Sequence, residues 1–145
     1  MRYAILILLS LWTAAIYADP EITVIAHTDN ELGSLTRKQI ADIYMGRITS
    51  LPNGSIPLPL DYQGDSPART HFYESITGKS MAQINAYWAR LSFTGQANPP
   101  RRLPNKAAVM QVVGKNQDAL GYVEEAAPET HPVPETHVTP IINVK

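Results

Sequence analysis

Cysteine is absent from the 145-residue chain. Disulfide scaffolds, thiolate zinc sites, cysteine nucleophiles and thiol redox chemistry are therefore excluded together. An excess of one charge is also missing: 12 Lys and Arg face 13 Asp and Glu, for a formal net charge of −1. A chain so balanced lacks the electrostatic footprint of a nucleic-acid binder, and no nucleic acid is expected as a partner. The sequence has no serine elbow, no His-Glu-x-x-His zinc motif, no phosphate loop of the Walker type and no dinucleotide fingerprint. His27 and His71 have no evident partners in sequence, and Asp61 and Asp65 read as turn formers beside a loop. No enzymatic role, cofactor or metal is expected. No apolar run reaches the roughly 20 residues that cross a bilayer comfortably.

The longest apolar run is Tyr3 to Ile16, broken only by Ser10 and Thr13, after the positive Arg2 and before the small Ala18. That order of charge, apolar core and small-residue exit predicts a secretory signal peptide over residues 1–18 and a mature protein that works outside the cytoplasm. Hydrophobic residues make up 44% of the chain, too many for disorder. The length fits one domain, expected over residues 19–127.

Within that domain, Ile22 to Ala26 is rich in β-branched residues and predicts a buried strand. Thr36-Arg37-Lys38-Gln39 is a capping box, flanked by Leu35 and Ile40 as a staple. Ile40, Ile43 and Tyr44 make one helical face, which Gly46 ends. Pro52-Asn53-Gly54 is a turn. Ile56 to Leu60 alternates proline with leucine, which predicts an edge strand or an extended segment. Gln63 to Pro67 is a loop into a helix with Ser66 as N-cap and Pro67 at its first position; Ala68, Phe72, Tyr73 and Ile76 face the core and Gly78 ends it. Ser80 to Gln83 is a second capping box, followed by Met81, Ile84, Tyr87, Trp88 and Leu91 at helical spacing, an apolar stripe expected in the core. Gly95 to Pro104 reads as a loop in which Arg101 and Arg102 are solvated. Asn105 caps a helix through Val109, Val112 and Val113, and Leu120 to Val123 is a strand.

Residues 128–145 form a proline-rich tail. Pro-Glu-Thr-His occurs at Pro128–His131 and again at Pro134–His137. Two histidines with Glu129 and Glu135 suit weak metal binding, but extended proline segments do not preorganise ligands, and an exposed connector is the expected reading. Val138 to Val144 suits a final strand. Strands alternating with helices give an α/β architecture.

Hydroxyl caps recur at helix starts: Thr36, Ser66 and Ser80. Free amides and the helix dipole make such ends suitable for anions. The Ser66 end is the best candidate, because Gly64 permits close backbone approach and Arg69 and His71 follow within a turn and a half. Asp65 repels a bare anion but accepts a hydrogen bond from a protonated oxyanion, which favours hydrogen phosphate over sulfate.

Three segments carry a family resemblance. Leu35 to Ile48 (with Thr36, Gln39, Ile40, Asp42, Ile43, Tyr44 and Gly46), Leu60 to Phe72 around Gly64-Asp65-Ser66, and Ala119 to Glu124 resemble, in order, the periplasmic phosphate-binding proteins of ABC uptake systems. The resemblance runs from about Ile22 to Glu125. It implies a single lobe of the type II periplasmic-binding-protein fold: a small mixed sheet flanked by helices. It also implies a periplasmic solute-binding-like protein for phosphate or a similar oxyanion, with a membrane transporter or a sensor protein as partner. The residues expected at an anion site, from the caps and the resemblance together, are Ser66, Arg69, Thr70, Gly64, Asp65 and Thr36. Ser66 matches the family's serine. The family's arginine position falls on Tyr62, and its glycine-threonine pair falls on Pro67-Ala68; Pro67 has no amide to donate. The family's other phosphate loop is missing. The alternative function is a ligand-free interaction or sensor-accessory module built on the same lobe.

Overall fold

A computed structural model describes residues 21–29, 35–125 and 138–144. The expected signal peptide and both Pro-Glu-Thr-His repeats lie outside the described residues. The elements run β1 (Glu21–His27), α1 (Arg37–Tyr44), β2 (Leu58–Tyr62), α2 (Pro67–Thr77), α3 (Met81–Phe93), β3 (Arg101–Leu103), α4 (Lys106–Val113), β4 (Ala119–Glu125) and β5 (Val138–Val144).

Local chemistry sets the helix starts. Thr36 and Ser80 each accept from the amide three residues on, while Gln39 and Gln83 reach back to the cap amides. Ser66 caps α2 and Pro67 opens it, where its missing N–H is harmless. Asn105 caps α4 through the Ala108 amide at 2.9 Å. Gly46 and Gly78 supply the left-handed backbone that follows α1 and ends α2.

The strands form one mixed sheet in the order β3-β2-β4-β1-β5. β2 runs parallel to β3 and β4, whereas β1 is antiparallel to β4 and β5. The sheet thus matches the expected small mixed α/β lobe. One local expectation is refined and another corrected. β2 as a whole lies between β3 and β4, yet at Pro59 it keeps the one-sided pairing of an edge. Pro59 is tolerated because β3 pairs with β2 only from Leu60 onward, so β2 has a single neighbour where the proline sits. The expected loop before Pro104 contains β3, an outer strand of the sheet, as β5 is on the other side.

Adjacent strand residues point to opposite faces, and Gly121-Tyr122 in β4 shows what each face demands. A Cβ on Gly121 would lie 2.5 Å from Val109 Cγ1, so α4 packs directly on the strand backbone. Tyr122 faces the other way. Its ring stacks on Phe72 of α2 with centroids 3.8 Å apart and meets Tyr44 of α1 edge-on. Tyr44 and Tyr62 return their hydroxyls to strand carbonyls: Tyr44 shares its proton between Leu60 and Leu120, and Tyr62 donates to Tyr122. The core is therefore aromatic beneath α1 and α2 and aliphatic beneath α4.

Candidate functional site

β2 ends at Tyr62, and Gly64 turns the chain at φ +71 so that α2 begins directly outside the carboxyl end of the strand. In open α/β sheets, ligands bind at that location. Ser66 Oγ accepts from the Arg69 amide at 3.1 Å. Pro67 has no N–H, so the Ala68 amide is the one first-turn donor that neither the cap nor the ring removes.

The first turn of α2 brings Arg69 back over β2, where its Nε donates to Asp61 Oδ2 at 2.9 Å. Asp61 is 1% exposed and Arg69 2%. Asp61 takes three further donors: Tyr73 hydroxyl at 3.2 Å, Tyr122 hydroxyl at 2.6 Å and the Tyr62 amide at 2.8 Å. A buried carboxylate this well satisfied is compatible with burial. The Tyr73 ring lies 5.5 Å from the guanidinium carbon. Burial pulls the Arg69 pKa down, but the hydrogen bond and charge of Asp61 more than reverse this, and the net shift is upward. Arg69 is held charged. Burial and then Asp61 push the Tyr73 and Tyr122 hydroxyls up, so both stay neutral donors.

Arg69 is thus pinned through Nε. Its two terminal nitrogens face weaker partners: Nη1 lies 3.6 Å from Asp65, and Nη2 is 3.4 Å from Asn85 Oδ1. Asp65 is 79% exposed. Gly64, Asp65, Arg69, Asn85, Ser92 and Arg102 line a pocket of about 320 Å³ here, with Trp88 and Ala89 completing it.

Of the expected anion residues, Gly64, Asp65 and Arg69 come together at this pocket, and Ser66 caps the helix beside them. Thr70 sits half-buried in the next turn with its amide on Ser66 O. Thr36 is elsewhere, its hydroxyl engaged with Gln39. Arg69 differs from the expectation of a free guanidinium, because the buried Asp61 holds one edge of it. Asp61 itself is a strand residue in the core, which corrects its reading as a turn former.

Sequence reasoning missed Asn85, Ser92 and Arg102. Asn85, Ala89 and Ser92 fall at i, i+4 and i+7, a helical stripe flanking Trp88, and that spacing was a usable signal. Arg102 arrives only through pairing of β3 with β2, opposite Asp61, which nothing local announces.

No protein-family model matches the chain, and no curated protein sequence matches it. Solved structures do match in fold. A substrate-binding protein assigned to phosphate ABC transport from Clostridium perfringens, solved with bound phosphate, aligns at a TM-score of 0.61 and 20% identity, covering 84% of this chain and 45% of that one. An ABC-type phosphate transport receptor from Vibrio cholerae aligns at 0.60 and 16% identity, covering 84% and 46%. A protein from Planctomyces limnophilus assigned as phosphate-binding aligns at 0.53 and 15% identity, covering 73% and 37%. The chain therefore spans less than half the length of these structures, and the likeness is one of fold.

Proposed function

We propose that the chain is an exported, non-enzymatic solute-binding module that takes a phosphate-like oxyanion at the start of α2, in the service of ABC-type phosphate uptake. The observation that carries this reading is the pinned guanidinium. Asp61 fixes Arg69 through Nε, and the outer edge of Arg69 meets the pocket beside a capped helix start. Charged donors held in place need no ordering when an anion arrives. Arg102 adds a second cation at the rim. Asp65 favours an oxyanion that still carries a proton. The fold likeness to proteins of phosphate transport supports the ligand class. The aligned part makes up less than half of those chains, so a second surface, on a transporter or another subunit, completes the enclosure and supplies the affinity that one lobe lacks.

A second reading has its own support: Pro67 removes an amide, and Asp65 already lies against Arg69. In that reading the lobe serves as an interaction or sensor-accessory module without ligand. Titration calorimetry separates the two. Binding of phosphate near 1 mM, about 4 kcal/mol, weaker sulfate, and a several-fold loss in Arg102→Ala support the oxyanion reading. No heat from folded protein at millimolar phosphate supports the second.

A further inference from the structure

We infer that the recess between α1 and the far end of α2 docks an acidic segment of a partner protein. The recess holds about 530 Å³ and is rimmed by Arg37, Lys38, Arg47 and Lys79. These are four of the chain's 12 cations, gathered on a molecule whose net charge is negative. Asp42 is the one acid among the described residues that line it. Hydrogen bonds from Lys38 and then Arg47 hold its carboxyl below the usual range, so it stays ionised and already serves two cations. Arg37 donates to the Ser75 carbonyl in the last turn of α2. Lys38, Arg47 and Lys79 outnumber Asp42 three to one, enough to focus a field and steer an acidic partner.

The floor decides the class of occupant. Ala41, Met45 and Ile76 lie at the bottom of the recess. An inorganic polyanion gains nothing from such a floor, whereas a peptide that presents carboxylates around one apolar side chain uses both parts. The cations stand out in solvent, with Lys38 85% and Arg47 54% exposed, as rim charges of protein interfaces do. A bilayer meets flat or convex faces, and this site is concave. The inference does not depend on the oxyanion reading, since the recess lies at the opposite end of α2.

The test is fluorescence anisotropy with a labelled peptide alternating glutamate and leucine, titrated with the full chain, alongside vesicles of phosphatidylglycerol in phosphatidylcholine. Wild-type protein is expected to bind the peptide at low ionic strength and weaken as salt rises. Lys38→Glu combined with Lys79→Glu, both exposed, is expected to keep the Tm and lose at least about tenfold in binding. Millimolar phosphate is expected to leave peptide binding unchanged. No peptide binding at low ionic strength, equal binding by the double variant, or binding to the vesicles in preference to the peptide overturns the inference.

Discussion

The two ends of α2 hold positive charge in opposite ways. At the start, one buried guanidinium is answered by one buried carboxylate that has four donors around it. At the far end, four exposed cations line one recess, and two of them, Lys38 and Arg47, share the Asp42 carboxylate. The difference follows from water. Removing a charge from solvent costs several kcal/mol, so the buried pair must be matched atom by atom. Exposed charges stay solvated and need no partner. The start of α2 therefore holds its guanidinium in one fixed place through a buried partner, while the cations at the far end stay in water.

Alkali is expected to break the buried end most completely. Tyr44, Tyr73 and Tyr122 all have hydroxyl pKa values raised first by burial, and that of Tyr62 is pushed up to about 12. A group whose folded pKa lies above its unfolded value contributes fully below the unfolded value, about 10, and loses that contribution as the pH climbs above it. At pH 12 the three most buried phenols would together withdraw roughly 8 kcal/mol, comparable to the whole stability of a domain. Urea melts at rising pH are expected to be flat to about pH 9 and to collapse above pH 10. Phenolate absorbance from these rings in a folded protein would contradict the packing.

Asp61→Ala comes next. It leaves Arg69 buried without its partner and is expected to lose about 3–5 kcal/mol in urea unfolding. A loss under about 1 kcal/mol would mean that Arg69 reaches water, and the contrast between the two ends would fail. Tyr122→Phe keeps the ring on Phe72 and removes the 2.6 Å hydrogen bond to Asp61. A loss of about 1–3 kcal/mol is expected. Lys79→Ala, at the exposed end, is expected to change stability by less than about 0.5 kcal/mol. A larger loss would show that the far cations also hold the fold together.

How far the sequence could be read depended on the reach of each contact. The caps at Thr36, Ser66 and Ser80 were legible because cap and partner lie three residues apart. β3 was not, because Arg101 and Arg102 are exposed and polar, and the segment becomes a strand only by pairing with β2, some 40 positions earlier. Asp61 looked like a turn residue because nothing near it in sequence says that Tyr122 will deliver a hydroxyl to it. The same limit applied to the site. Ser66 could be placed on a helix start, yet the direction of Arg69 depended on β2 and β4 being neighbours.

The motifs behind the resemblance prove to be largely architectural. Ile40, Ile43 and Tyr44 fill the core, Gly121 makes room for α4, and Tyr122 reaches Asp61. Gly64-Asp65-Ser66 lies beside the pocket at the start of α2, and Arg37, Lys38 and Asp42 line the recess at its far end. The likeness of fold to the solved structures stands at 15–20% identity.

The most direct measurement is an NMR titration of the isotope-labelled chain with phosphate, following the Arg69 side-chain Nε–H and the Ala68 and Asn85 signals. Saturable shifts at these three, with the signals of Lys38 and Lys79 unmoved, are expected if the pinned guanidinium and the opening turn of α2 receive an oxyanion. Unchanged Arg69 and Ala68 signals in a folded protein, up to the highest phosphate reached, would contradict it.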